Sequence, residues 1–147
     1  MSLYQCTAGV AVGSDLPIIN LTGSAAIRIL LKYLLVSFSG SPADVATLFM
    51  LERTTDAGTG GSALTETKTD PLTVTQTAAA VSGTFSAAPT DSDELLGFAL
   101  NQRSVKEFYL PDGEEQISVA SSANGLMLNS ESSGGTPTCR ATMKWRE

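Results

Sequence analysis

The sequence contains no histidine. Histidine is the commonest general base, the commonest metal ligand and the side chain whose charge changes near neutral pH. Its absence leaves carboxylates and lysines as the remaining groups for acid–base chemistry, and no catalytic, metal-ligating or cofactor-binding set of these stands out. We therefore expect a protein that is not an enzyme and that holds no metal and no cofactor.

Charged residues are also scarce, at 16% of the chain against a usual share of about 25%. The formal net charge is -6 at pH 7. Nucleic-acid-binding proteins need a basic patch, so we expect no nucleic-acid partner. The most apolar segment, Ala25–Phe38, contains two charges and is too short to span a bilayer, so we expect no membrane partner either.

The chain has only two cysteines, Cys6 and Cys139, near its opposite ends. A disulfide between them would join the terminal strands and close almost the whole chain into a loop. Alternatively, both are buried thiols that pack as small hydrophobic side chains. The low cysteine content favours the second interpretation, because secreted disulfide frameworks contain more cysteines.

Alternation of apolar and polar residues is the strongest positive signal. Between Cys139 and Arg146 every second residue is apolar, which is typical of a half-buried β-strand. Trp145 lies on the apolar face and is expected in the core. If this strand lay at a sheet edge, Trp145 would instead be an interface residue, because aromatic side chains contribute strongly to binding.

The segment Ala25–Phe38 fits both a helix and a strand. We favour a strand, because Ser37–Pro42 ends it like a β-turn and its neighbours have β patterns. Strict alternation places Leu31, Tyr33 and Leu35 on one face. The opposite face carries Leu30, Leu34 and Val36. A strand that is apolar on both faces needs two partners, so we expect one face in the core and Leu30, Leu34 and Val36 at a subunit interface.

The remaining chain divides into short apolar-rich runs separated by turn signals such as Pro111-Asp112-Gly113 and Ala123-Asn124-Gly125. The glycine-rich stretch Thr54–Ser62 is predicted to be a surface loop, and Leu64–Thr90 an extended excursion over the surface. We predict one all-β domain over residues 1–147. Its eight to ten short strands, with little helix, form an antiparallel β-sandwich of jelly-roll type.

Two acidic clusters, Asp91–Glu94 and Asp112–Glu115, lie outside the clearest apolar runs. Neither alternates oxygen ligands with a glycine and a distal glutamate as a dedicated calcium loop does. We therefore favour solvated turns for both. Opportunistic calcium binding and a glycosidase-like pair of carboxylates are the alternatives.

Several pieces of the chain together resemble the small jelly-roll structural proteins of tailed bacteriophages, of the capsid decoration, cement or head-associated kind. The most distinctive is the arginine–threonine run that leads to a pair of glycines. The pieces are Leu51–Thr55, Gly58–Ser62, Lys68–Pro71, Ala78–Ala80, Tyr109–Pro111, Gly125–Leu128 and Trp145–Glu147.

The resemblance implies a virion component, assembled in the host cytoplasm, that binds the lattice of the major capsid protein and performs no chemistry. Such proteins often assemble as trimers, so a homotrimer is expected. The cysteine pair and the acidic tract Asp91–Glu94 depart from the family pattern. They leave open whether the protein lies on the head, at the head–tail junction or on the tail.

A carbohydrate-binding β-sandwich module is the alternative from another functional class. Such modules usually expose several aromatic side chains on one sheet face. The chain has three tyrosines, Tyr4, Tyr33 and Tyr109, which show no shared spacing, so the sequence favours the structural protein.

Overall fold

The computed structural model describes residues 2–13, 15–24, 27–69, 79–82, 85–114, 116–117 and 124–147. In these residues the chain forms twelve strands and no helix, so they contain no helix capable of crossing a membrane. The strands are β1 (Leu3–Ala11), β2 (Leu16–Thr22), β3 (Leu30–Ser39), β4 (Ala46–Thr54), β5 (Ser62–Ala63), β6 (Thr67–Lys68), β7 (Ala79–Ser82), β8 (Asp91–Asn101), β9 (Lys106–Tyr109), β10 (Gln116–Ile117), β11 (Gly125–Ser133) and β12 (Thr138–Arg146).

The strands form two antiparallel sheets. Sheet I has the order β10-β3-β12-β1-β6, and β9 also pairs with β3. Sheet II has the order β5-β7-β2-β11-β4-β8. The prediction of an all-β antiparallel sandwich is confirmed. The strands beyond the predicted eight to ten are short pieces such as β5, which begins at the last residue of the predicted glycine-rich loop, and β6. The predicted excursion Leu64–Thr90 contributes β6 and β7 to the sheets, and its residues 70–78 and 83–84 lie outside the described residues.

Eight strands follow a nested pairing order that defines the jelly roll. β1 pairs with β12, β2 with β11, β3 with β9, and β4 with β8. This is the pattern of one long hairpin folded across two sheets. It brings residues 40–45, 102–105 and 134–137 to the same end of the sandwich, which we call the loop end.

The core lies between the sheets and is anchored by Trp145, which has no exposed surface. β12 lies between β1 and β3 in the interior of sheet I, so it is not an edge strand, and its apolar face packs in the core shared with sheet II. Tyr4 on β1 is the cross-strand partner of Trp145, and the two rings stack with centroids 6.0 Å apart. The prediction that Trp145 is a core residue is confirmed, and its alternative placement at an interface is wrong.

A β-bulge in β3 corrects the predicted faces of this strand. Lys144 lies opposite Tyr33 and Trp145 opposite Leu31, so Lys32 is an extra residue on β3. Because of this insertion, Leu31 and Leu34 both face the core and both have 0% exposure. Tyr33 is instead half-buried, and its neighbours in register place it on the outer face of sheet I.

The bulge also corrects the predicted subunit interface. Leu34 and Val36 have no exposed surface and pack in the core of their own chain. Trp145 is equally buried, so none of these three residues exposes surface to a second subunit, and the interface prediction is wrong for all three. Leu30, which is half-buried, is the remaining candidate of the four.

Candidate binding surfaces

Both cysteines are free and buried, and the predicted disulfide is wrong. On the paired strands Cys6 lies opposite Met143, whereas Cys139 lies opposite Val10. Four residues along a strand span about 13 Å, which is too far for a disulfide to bridge. The alternative interpretation as buried thiols is confirmed, and burial raises the pKa of each thiol to about 12.

The two acidic clusters form ion pairs at the surface. The first, Asp91–Glu94, is exposed but begins β8, so its prediction as a turn is wrong. Its Asp93 carboxylate lies 3.3 Å from a guanidinium nitrogen of Arg53. In the second, Asp112 contacts Lys32 and Arg146, whereas Glu115 lies outside the described residues. Among the residues that the structure describes, no three histidine, cysteine, aspartate or glutamate side chains are arranged to hold a metal ion.

Two tyrosines that are far apart in the sequence meet on the outer face of sheet I. Tyr33 on β3 and Tyr109 on β9 are cross-strand partners, with ring centroids 5.0 Å apart. The Tyr33 hydroxyl donates a hydrogen bond to Glu107 at 3.1 Å, and the Lys144 ammonium lies 4.9 Å from the Tyr33 ring centre. We call these four residues the tyrosine patch.

The two rings of the patch differ in role. Tyr33 is half-buried, and burial together with the hydrogen bond to Glu107 raises its pKa. Tyr109 is 73% exposed, the most exposed large hydrophobic side chain among the described residues. Tyr33 therefore supports a ring whose own surface faces solvent.

A shallow depression lies beside the Tyr109 ring. Its walls are Tyr109, Leu110, Pro111, Asp112 and Lys32. The predicted turn at Pro111-Asp112-Gly113 forms this wall: Glu114 N–H donates to Pro111 O at 3.0 Å, and Gly113 has a φ of 94° that only glycine adopts without strain.

Gln102 links the three connections at the loop end. Its side chain is 1% exposed. The amide oxygen accepts from Ala43 N–H at 3.0 Å, and the amide nitrogen donates to Gly134 O at 3.0 Å and to Ser133 Oγ at 3.1 Å. A single buried amide therefore ties the β3–β4, β8–β9 and β11–β12 connections together.

Aliphatic side chains are exposed around this linked end. Val45 and Leu48 are 38% and 41% exposed, and Val105 is 62% exposed. Gln102 N–H donates to Val45 O at 3.0 Å, so the backbone beneath this surface is fixed. The loop end therefore presents apolar surface on a rigid support.

A buried carboxyl lies on the outer face of sheet II. Glu52 on β4 is 4% exposed, and its pKa is raised to about 7, mainly by burial. Four further carboxylates repel its charge and contribute to this rise in the pKa. These are Asp91, Glu131, Glu94 and Asp15.

Sequence reasoning missed the tyrosine patch, the Gln102 link and the environment of Glu52. The patch depends on the pairing of β3 with β9, which no local pattern encodes. The turn signal directly after Tyr109 was the one available hint of a formed site beside it. Gln102 follows an apolar run, where a polar residue is typical of an ordinary turn.

Comparison with known proteins adds no relative: no family model, no curated protein and no solved structure matches the chain. The resemblance to phage structural proteins therefore stays a prediction.

Proposed function

We propose that the protein is a non-enzymatic structural component of a virion, a decoration or cement protein that binds the lattice of the major capsid protein as an oligomer. The proposal keeps the homotrimer and the assembly in the host cytoplasm that the family resemblance implies. It moves the contact surface away from Leu34, Val36 and Trp145, because these residues lie in the core.

The loop end is the observation that carries the proposal. Val45, Leu48 and Val105 each expose aliphatic surface at one end of the sandwich, and exposed apolar surface is a feature of protein contact sites. Because Gln102 already holds the three connections in place, binding requires little further ordering of the backbone.

Small contacts suffice for attachment to a capsid lattice. The lattice repeats one binding site many times, so an oligomer that engages several sites gains from a high effective concentration. A trimer on a symmetry axis would present three equivalent loop ends to three equivalent lattice positions.

Co-sedimentation with expanded empty heads of the virus that carries the gene tests the proposal. The double variant Val45→Glu/Val105→Glu should bind at least about tenfold more weakly, because a charge without a partner is costly to bury in a contact. The variant Ser62→Glu/Thr67→Glu is the matched control, since it adds the same charge at exposed edge positions and should bind normally.

Two results would support the proposal and two would contradict it. Bound copies should raise the temperature at which the heads open, and native mass spectrometry should give a trimer. Heads that take up no wild-type protein would contradict lattice binding. A monomer at every concentration would contradict the oligomer.

A further inference from the structure

We propose that the depression beside Tyr109 is a saccharide-binding site. The Tyr109 ring is the stacking surface, and Asp112 and Lys32 supply the polar contacts. This goes beyond attachment to a lattice and does not depend on it.

The Tyr109 ring is exposed and held in place before any ligand arrives. It is 73% exposed and packs on Tyr33, whose position is fixed by a hydrogen bond to Glu107 and by the Lys144 ammonium. The face of an aromatic ring carries partial negative charge. The C–H face of a pyranose carries partial positive charge, so the two surfaces attract as they exclude water.

The polar groups beside the ring are also fixed. Leu110 N–H donates to Lys32 O at 3.0 Å, which holds the start of the turn against β3. Asp112 accepts from Lys32 and from Arg146, the latter at 3.4 Å, while its side chain stays 78% exposed. A donor, Lys32, and an acceptor, Asp112, therefore line the same depression as the ring, and this suits hydroxyl groups, which both donate and accept.

The charges around Tyr109 favour a saccharide over a protein partner. The core of a protein–protein contact is depleted in charged residues. Tyr109 instead has Glu107 as a strand neighbour, and Lys32 and Asp112 as neighbours in the depression. Because positive and negative charges are mixed around Tyr109, they give no net attraction for a polyanion. Neutral hydroxyl groups can contact charges of either sign.

We expect weak binding, with a Kd of about 0.1–10 mM for one or two sugar units, because a single ring supplies most of the contact. An array of immobilised oligosaccharides with hexose, deoxyhexose and N-acetylhexosamine units identifies a binder. The soluble form of that oligosaccharide is then titrated by calorimetry against wild type and variants.

Tyr109→Ala should bind at least tenfold more weakly, whereas Tyr109→Phe should stay within about threefold, because it keeps the stacking ring. Asp112→Asn should lose several-fold and provides a second test if Tyr109→Ala does not fold. Val45→Glu/Val105→Glu should bind the sugar like wild type.

The absence of any bound oligosaccharide at about 10 mM would overturn the proposal, as would a Tyr109→Ala variant that binds like wild type. A third adverse result is that Tyr109→Ala dissociates a dimer in sedimentation while no sugar binds. That result would assign the patch to a second copy of the chain. None of these outcomes bears on lattice binding at the loop end, although a dimer would contradict the homotrimer of the proposed function.

Discussion

Glu52 and Asn129 lie diagonally across the β4–β11 pair, and each holds a buried side-chain oxygen that accepts no hydrogen bond within the described residues. The Asn129 amide nitrogen donates to Asp15 and to Glu131, both at 2.9 Å, so it has no donor left for Glu52. Diagonal neighbours on adjacent strands are within side-chain reach. A neutral Glu52 carboxyl has a hydroxyl to donate, which an ionised one lacks.

We predict that the stability of the folded chain falls as the pH rises from about 4.5 to about 7. The pKa of Glu52 is raised from 4.5 to about 7 in the folded state, so the folded state holds this proton more tightly than the unfolded state. The favourable contribution is complete below pH 4.5 and is lost as the pH passes 7. Its size is about 3 kcal/mol at most, and urea unfolding at several pH values measures it.

Glu52→Gln separates this effect from the general charge of the protein. The amide cannot ionise, so the variant should be more stable than wild type at pH 8 and should lose most of the slope between pH 5 and 7. Glu114→Gln removes the same charge at an exposed position and should keep the slope. If Glu52→Gln keeps the wild-type slope, other groups cause it and the prediction is wrong.

Gln102→Ala should loosen the loop end. The change removes the buried hydrogen bonds to Ala43, Ser133 and Gly134, and we expect a loss of about 2–4 kcal/mol in the free energy of unfolding. Chemical denaturation measures the loss, and limited proteolysis should cut first within residues 40–45 or 134–137.

The neighbouring Asn101→Ala is the control. It removes more exposed hydrogen bonds to Asp44 and Arg103, so it should cost less than about 1 kcal/mol. Equal losses for both variants would contradict a special role for Gln102.

Gly125→Ala should be among the most damaging single substitutions in the chain. A Cβ at this position would lie 2.1 Å from Leu21 O, a backbone atom of the neighbouring strand β2 that cannot move without breaking the pair. We expect a loss above about 3 kcal/mol, seen as a lower melting temperature or as insoluble protein. Gly9→Ala is the matched control, because its Cβ would meet nothing closer than 3.9 Å. It should fold normally, and similar damage from both changes would refute the steric explanation.

A strand of this fold could be predicted from sequence where one of its faces is buried and the other is exposed, because its residues then alternate between apolar and polar. Alternation from Cys139 to Arg146 predicts β12 because every second residue must leave water. The nested topology follows less directly, since a jelly roll is one of few ways to cover both apolar faces of so many short strands.

The binding surfaces could not be predicted, because each depends on a pairing between distant segments. The bulge at Lys32 exists only in relation to β12, yet it decides that Leu34 enters the core and that Tyr33 faces outward. The contact of Tyr33 with Tyr109 depends in turn on the register between β3 and β9. Local alternation contains none of this information, and at Leu34 it favoured the wrong environment.

The thiols of Cys6 and Cys139 should be inert in the folded protein at pH 8. Burial raises the pKa of each to about 12, so the thiolate, which is the reactive form, is present at a fraction of about 10⁻⁴. A colorimetric thiol reagent should detect no thiol in the native state and both thiols after unfolding in urea. An added cysteine at exposed Thr7, on the same strand as Cys6, should react at once and shows that the reagent works.

Melting curves of the protein with and without reductant should coincide, because no covalent link between the two cysteines is present to break. A lower melting temperature in reductant, or unfolded protein that shows no free thiol, would require the terminal strands to shift along each other by about 13 Å.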